Sequence, residues 1–345
     1  MIRVLKYAFL DTGYSDAVVR LSCGKKTIYT HIETLYAIRR VQRLMSARSE
    51  MKRDDIIEVG EAIFSTLFQG DALEFFEDIH YRWSMDKNEI LAIKIDCNVL
   101  NLPWEMMAYR HDFLATSPRT WISRSQRGIA PPANITRPRV LVIAPNADDL
   151  NIETELDIVE GVLEGKGLPY FCLDGVVGIE DVVATLSRNG PFDTIHFLGH
   201  GKIGIVDSNV LGYLRFNGER GAMEWVDANR VASIFKAAPT VQLVILNACQ
   251  TAVATTSSDL DDDSISAVAD TLTNQGVPSV IAMQLRIRDD VALDFSETFY
   301  QSLVAGGATV PQALAWSRCF IAAKHPDSLG FATPVLYENY HYTED

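Results

Sequence analysis

The stretch RVLVIAPNADDLNIETELDIVEGVLEG, residues 139–165, decides the fold class. Its first seven residues form an apolar run of the kind that is buried on both faces of a parallel sheet. The segment ETELDIVEGVLEG then places apolar residues at helical spacing. Because a strand followed by an amphipathic helix is the repeating unit of α/β proteins, we expect a parallel sheet covered by helices.

The alternation continues beyond this stretch. Strands are predicted in YFCL (170–173), DTIHFLG (193–199), VQLVILNA (241–248) and SVIAMQL (279–285), separated by segments with helical spacing. Two further predicted helices, roughly 289–305 and 310–324, precede a short strand, ATPVLY. This pattern predicts a doubly wound, mostly parallel sheet, in which ligands and catalytic groups collect beyond the carboxyl ends of the strands.

A boundary is predicted at RGIAPPANITRP, residues 127–138, where two adjacent prolines interrupt the pattern. We therefore divide the chain into residues 1–133 and 134–345. The N-terminal part is predicted to be a smaller α/β unit. Helical spacing occurs in IETLYAIRRVQRLM (32–45) and DIIEVGEAIFSTLF (55–68), and strand alternation occurs in EILAIKID (89–96).

Composition excludes several classes of function. A net charge of −14 argues against broad nucleic-acid binding, which depends on a basic surface. No apolar run approaches the roughly 18 residues of a membrane span, and no signal peptide is expected at the N-terminus. Five scattered cysteines without a C-x-x-C pair fit the reducing cytoplasm and provide no zinc framework, so we expect neither cofactor nor metal.

The sequence GHGKIG, residues 199–204, matches the dinucleotide-binding pattern G-x-G-x-x-G after a strand. That pattern requires a helix whose N-terminus holds the pyrophosphate. The following residues, IVDSNVLGYLRF, instead predict a hairpin or loop. A nucleotide-binding enzyme is therefore the weakest of three interpretations.

His200 and Cys249 offer a second interpretation. Each follows an apolar strand of the predicted sheet, each has small neighbours, and 249 − 200 = 49 positions is close to the roughly 50-residue offset between the caspase histidine and cysteine. An imidazole beside a thiol raises its thiolate fraction and then protonates the leaving amine. Gly201 lets the backbone approach an oxyanion. His196, inside the strand, and the other four cysteines are interpreted as structural, and no third acid can be named.

The segments HFLGHG and LNACQTA, with LPWEMMAYRHDFLATSPRTWISRS (102–125) upstream and residues 276–318 downstream, resemble the CHAT group of caspase-like cysteine peptidases, relatives of separases. The resemblance implies a caspase-like fold with His200 and Cys249 as the dyad. It also implies an oxyanion hole near Gly201 and Cys249, and an N-terminal pseudo-protease-like unit. The LPWE and SPRT segments would then be structural.

The sequence departs from the caspases at the cysteine, where Asn247-Ala248-Cys249-Gln250-Thr251 replaces Q-A-C-[RQG]-G. Specificity for aspartate is therefore not carried over. By resemblance to separases, Asp289 shapes the substrate pocket, and we also assign Asp290, Gln284 and Asn247 to it. Cleavage after Arg or Lys is predicted. The acidic run SSDLDDDS (257–264) is interpreted mainly as a solvated, helix-capping loop.

The leading interpretation is thus a cytoplasmic cysteine endopeptidase acting on a protein substrate. Because the chain has no fused repeat array of the kind common in CHAT proteins, its activator is expected to be a separate protein or signal, in a stress or antiviral defence setting by family analogy. The loop 252–263 is a candidate for autoprocessing, and its acids leave calcium activation open. The alternative is a catalytically silent caspase-fold scaffold that binds a partner protein.

Overall fold

The computed structural model describes the chain except residues 13–15, 35–37, 42–50, 97–101, 126–134, 136, 147–151, 207–208, 249–263, 285–287, 306 and 340–345. The chain divides into two compact units. The first comprises Met1–Ser125 and Leu314–Ala332, and the second comprises Gln126–Ala313 and Thr333–His341. Among the described residues, no helix is both long enough and apolar enough to cross a membrane.

The first unit is an α/β structure. Its elements are β1 (Ile2–Thr12), β2 (Asp16–Cys23), β3 (Lys26–Glu33), α1 (Arg53–Leu67), α2 (Asp71–Met85), β4 (Ile90–Ile95), β5 (Ala108–Tyr109), β6 (Asp112–Phe113) and β7 (Thr120–Ser125). The larger strands lie in the order β3-β2-β1-β4-β7. β1, β2 and β3 pair antiparallel, whereas β1, β4 and β7 pair parallel.

The apolar faces of α1 and α2 explain why these helices form and pack together. The Phe64 ring of α1 stacks on that of Phe68, the residue after the helix, at 4.7 Å between centroids, and the Phe76 ring of α2 lies 5.0 Å from that of Phe64. Gly60 of α1 sits so close to the Met106 carbonyl that a side chain there would collide with it. The predicted helix at 55–68 and the predicted strand at 89–96 are therefore confirmed as α1 and β4.

The helix predicted at 32–45 was wrong at its beginning. Ile32 and Glu33 are the last residues of β3, and Ile32 pairs with Ala17 of β2. Ile32 is buried while its neighbours in the strand are exposed, so strand alternation determines the local structure. Residues 38–41 are helical, and 35–37 and 42–45 lie outside the described residues.

The second unit alternates strands and helices as predicted. Its elements are β8 (Val140–Pro145), α3 (Ile152–Gly165), β9 (Tyr170–Gly175), α4 (Ile179–Asn189), β10 (Thr194–Gly199), β11 (Gly201–Val206), β12 (Asn209–Asn217), β13 (Met223–Asp227), α5 (Ala228–Lys236), β14 (Leu243–Ala248), α6 (Ser264–Asn274), β15 (Ser279–Met283), α7 (Asp289–Ala305), α8 (Val310–Lys324) and β16 (Pro334–Glu338). Residues 314–324 of α8 belong to the first unit.

The strands of the second unit lie in the order β16-β15-β14-β10-β8-β9, and every pair is parallel except β15 with β16. All six residues of β8 and of β10 are buried, as their apolar runs predicted. One sheet face packs against α4, α5 and α6 through Val182, Val231 and Val268. The opposite face carries His196, which contacts Tyr300 of α7. The predicted doubly wound, mostly parallel sheet is confirmed.

The segment after GHGKIG is not a helix. β11, β12 and β13 form a separate three-stranded antiparallel sheet, with Lys202 opposite Tyr213 and Arg215 opposite Trp225. The helix N-terminus that a pyrophosphate would need is therefore missing after Gly204. The sequence-based preference for a hairpin is confirmed.

Candidate active site

His200 lies at the carboxyl end of β10, where the chain leaves the large sheet and enters β11. The residue is only 1% exposed. The Arg215 N–H donates a hydrogen bond of 2.9 Å to the His200 carbonyl oxygen, which ties this turn to β12. Gly201, the first residue of β11, is also buried. The backbone of His200 is therefore fixed at the edge of the sheet where α/β proteins place reactive groups.

The strand that leads to Cys249 ends directly beside the strand that leads to His200. Gly199 of β10 is the register partner of Ala248 of β14, and the two strands are parallel. Neighbouring strands in a sheet are about 4.8 Å apart. Cys249 itself, and the rest of 249–263, lie outside the described residues. Among the described residues, β10 and β14 therefore end in register at the same edge of the sheet.

Asn247 and Glu155 form a polar pair at the same edge. Asn247 is buried, and its side-chain amide donates a hydrogen bond to a carboxylate oxygen of Glu155, in the first turn of α3. Asn247 is one of the predicted pocket residues, whereas the acid beside it was not predicted from the sequence. Ninety-two positions separate the two residues, so only the register of β8, β10 and β14 brings them together. The pair places the Glu155 carboxylate against Asn247, the residue two positions before the cysteine in the sequence.

The other predicted pocket residues follow β15. Gln284 is buried, and its backbone N–H donates to the Thr333 carbonyl oxygen at 2.9 Å. Asp289 is the first residue of α7. Asp290 is half-exposed and forms a two-pronged ion pair with Arg288, at 2.6 and 3.0 Å. Because Arg288 already neutralises Asp290, this carboxylate is the weakest of the predicted determinants of specificity for a basic residue.

His196 is a structural histidine, as predicted. It is fully buried, and its Nδ1 is 3.0 Å from the Tyr300 hydroxyl. Burial lowers the pKa of His196 to about 3, because a charged imidazole would lose its hydration. A ring that stays neutral in ordinary buffers and lies inside the sheet is suited to packing.

Three of the remaining cysteines are thiols outside any disulfide. Cys23, Cys172 and Cys319 are half-buried and none of them is disulfide-bonded. Burial raises the pKa of Cys172 to about 12 and that of Cys319 to about 11. Since the thiolate is the nucleophile, Cys172 and Cys319 are poorly reactive near neutral pH. Cys97 lies outside the described residues.

The LPWE and SPRT segments are structural, as predicted. Glu105 is completely buried and pairs with Arg124 at 3.3 Å. Arg119 stacks on the Trp83 ring at 4.4 Å and donates to the carbonyl oxygens of Asp86 and Glu89. Within the described ranges, no group of three or more histidine, cysteine, aspartate or glutamate side chains could hold a metal ion.

Comparison with known proteins identifies the family of this chain. A family model described as the CHAT domain matches residues 58–341, which is most of the chain. The chain belongs to the CHAT domain family. A sequence search of curated proteins finds no match.

Solved structures show the fold of this CHAT protein. It is similar to a chain in the crystal structure of the Saccharomyces cerevisiae separase–securin complex, with a TM-score of 0.56 and 12% identity over 98% of this chain and 30% of that one. This chain thus corresponds to under a third of that chain's length. Another similar structure is the Arg-specific cysteine proteinase gingipain R, with a TM-score of 0.43 and 10% identity over 81% of this chain and 69% of that one. The fold is that of the caspase-like cysteine peptidases.

Proposed function

We propose that this CHAT protein is a cysteine endopeptidase that uses His200 and Cys249 as its catalytic dyad. The observation that carries the proposal is the in-register pairing of Gly199 with Ala248, which ends the two strands side by side. The imidazole of His200 takes the thiol proton of Cys249, and the thiolate attacks the carbonyl carbon of the scissile bond. His200 then returns the proton to the leaving amine, and water hydrolyses the acyl-enzyme.

The oxyanion of the tetrahedral intermediate needs preorganised N–H donors. We assign this role to the backbone N–H groups of Gly201 and Cys249. Gly201 is suited to it because it has no side chain, and because β11 is anchored to β12 from its first residue, opposite Leu214. A fixed backbone supplies its dipoles without reorganising during the reaction.

The substrate is a protein cleaved after Arg or Lys. Glu155 supports this specificity, because its carboxylate is fixed against Asn247 at the edge where both strands end. Asp289 and Gln284 complete the proposed pocket. Asp290 contributes less, since Arg288 already engages both of its oxygens. A half-buried carboxylate attracts a guanidinium or ammonium more strongly than a fully solvated one does.

Residues 134–345 are proposed as the catalytic region and residues 1–133 as the pseudo-protease-like region. The dyad requires a free thiol, which fits a reducing cytoplasm. A separate activating protein, in a prokaryotic defence setting, remains part of the proposal by family analogy. The similar structure that contains separase is a complex with a second protein, securin, which supports control by a protein partner.

Cleavage of fluorogenic peptides ending in Arg, Lys, Asp or Leu before the reporter tests this function. We expect turnover after Arg and Lys that is abolished in Cys249→Ala and His200→Ala. The matched control is Cys172→Ala, which removes a thiol whose raised pKa makes it a poor nucleophile, and it should retain full turnover.

A latent enzyme would be silent in that assay, so thiol labelling provides the second readout. Iodoacetamide should alkylate Cys249 much faster than Cys172, and His200→Ala should slow the reaction at Cys249. Equal, slow labelling of both cysteines together with no turnover would contradict the proposal and indicate a scaffold.

A further inference from the structure

The small sheet that follows His200 has one buried face and one outer face. Strand alternation places Leu214, Phe216 and Val226 on the inner face, in the hydrophobic core. The register of β11, β12 and β13 places Asp227 on the opposite face, across from Tyr213, where its side chain caps α5. Four half-buried side chains lie beside it on that face: Lys202, Tyr213, Arg215 and Trp225. We call this set the aromatic–cationic face.

The aromatic–cationic face is ordered by its own contacts. The Lys202 ammonium lies 4.4 Å from the centre of the Trp225 ring and 5.6 Å from that of Tyr213. The Tyr213 ring covers Gly204, where an added Cβ would approach it to 2.9 Å. Cation–π contacts of this kind hold a flexible lysine in one place. The positive charge is therefore fixed above a flat apolar surface.

This face begins at the candidate active site. Lys202 is two residues beyond His200, and Arg215 donates its backbone N–H to the His200 carbonyl oxygen. An extended peptide advances about 3.3 Å per residue. Three to five substrate residues beside the scissile bond are thus enough to reach from His200 across the face.

The charges indicate what such a segment carries. Of the two carboxylates of β13, Glu224 pairs with the Arg230 guanidinium at 3.4 Å. Asp227 accepts the Arg230 backbone N–H at the start of α5, a contact that supplies no opposite charge, so the face carries two cationic side chains against one carboxylate. Lys202 and Arg215 add two positive charges on a protein whose net charge is −14. Tryptophan, tyrosine and arginine are also the residues most enriched among binding hot spots.

We propose that the aromatic–cationic face binds an acidic, extended segment of the protein substrate next to the scissile bond. The inference rests on the proposed peptidase function for its use in catalysis, but binding itself does not require turnover. Two cations in a strongly acidic protein are few for a nucleic acid, whose affinity grows with each neutralised phosphate. An acidic peptide needs only a few such contacts and gains from the aromatic surface.

The test uses the full chain with Cys249→Ala, so that no peptide is consumed. A fluorescein-labelled peptide of about ten residues, with glutamates following one arginine, spans the face at strand rise, and its match has glutamine at every glutamate. By fluorescence anisotropy, we expect the acidic peptide to bind about tenfold more tightly, a difference of about 1.4 kcal/mol. Lys202→Gln and Trp225→Ala should each remove most of that difference. Lys236→Gln, an exposed lysine at the end of α5, is the matched control and should keep it.

Three outcomes would overturn the proposal. One is equal binding of the two peptides. Another is unchanged preference in Lys202→Gln and Trp225→Ala, both confirmed as folded by near-ultraviolet circular dichroism. The third is tighter binding of a single-stranded oligothymidine that displaces the acidic peptide, which would assign the face to nucleic acid.

A kinetic arm separates this proposal from the proposed function. In the unmodified chain, the acidic extension should lower KM about tenfold relative to the core peptide with kcat unchanged, as expected for uniform binding. That KM ratio should approach one in Lys202→Gln and persist in Lys236→Gln. If no peptide is cleaved, the peptidase function fails and the binding experiment alone decides the role of the face.

Discussion

The carboxyl ends of the parallel strands carry different chemistry in the two units. In the first unit, β4 and β7 end beside a buried ion pair: Arg124, opposite Ile95, contacts Glu105 at 3.3 Å, and both side chains are at most 5% exposed. In the second unit, β10 and β14 end at His200, Asn247 and small residues. The first edge contains a buried ion pair, whereas the second contains the buried His200 and a carboxylate hydrogen-bonded to Asn247.

The buried charges of the first unit indicate a structural role for its edge. Arg318 of α8 is also buried in the first unit and donates to the Ile122 carbonyl oxygen. Burial lowers the pKa of Arg318 to about 10, because the charged guanidinium loses its hydration there. A dry edge that contains paired charges resists a substrate, because each charge would have to be separated and rehydrated. The first unit thus contains paired buried charges at the position where the second unit has His200 and the Asn247–Glu155 pair.

The largest expected effect comes from breaking the buried pair of the first unit. Glu105→Ala leaves Arg124 buried without its carboxylate and should lower the free energy of unfolding by about 3–5 kcal/mol. Urea unfolding measures this loss. Asp78→Ala is the matched control: it removes the surface pairs of Asp78 with Lys26 (3.1 Å) and Arg82 (3.0 Å), and should cost about 1 kcal/mol or less. Equal losses in the two variants would contradict the assignment of the first edge to stability.

The contrast between the two edges was only partly accessible from the sequence. The apolar runs of β8, β10 and β14 predicted parallel strands, and the residues that follow β10 and β14 predicted the candidate dyad. The pairing of Asn247 with Glu155 was not predictable, since it depends on the register of strands distant in sequence. The antiparallel β1–β2–β3 ribbon was also missed, because strands with exposed positions lack the continuous apolar run of β8 or β10.

Asp290 shows a further limit of sequence reasoning. An acid at the start of a helix after a strand suggested a pocket residue, and the sequence does contain Arg288 two positions earlier. Whether the two side chains meet depends on their rotamers, which no periodicity specifies. Their ion pair removes much of the charge that specificity was expected to use.

A second prediction concerns His196 and the pH dependence of stability. The pKa of His196 is about 3 in the folded chain and near 6.5 in the unfolded chain. Between these two pH values, the imidazole therefore binds a proton in the unfolded chain but stays neutral in the folded chain. This group therefore makes stability fall by about 1.4 kcal/mol per pH unit from pH 6.5 down towards pH 3.

Unfolding free energies at pH 7 and pH 5 in wild type and His196→Asn measure this term. The pH-dependent loss should be smaller in His196→Asn, whatever that variant costs at pH 7. His111→Asn is the matched control, because His111 is exposed on the surface of the first unit. A loss on acidification that is the same in wild type and His196→Asn would show that His196 does not govern it.

The smallest expected effect distinguishes two carboxylates of the second unit. Glu155→Gln keeps an acceptor for the Asn247 amide but removes the charge, so kcat/KM after Arg should fall up to about tenfold while turnover after Leu hardly changes. Asp290→Asn should change the ratio of Arg to Leu turnover by less, because Arg288 already neutralises that carboxylate. Peptide kinetics with both reporters measure the ratio. If kcat/KM after Arg falls more in Asp290→Asn than in Glu155→Gln, the carboxylate that recognises the basic residue lies at the start of α7. The Asn247–Glu155 pair, which β14 and α3 bring together, would then not be part of the specificity pocket.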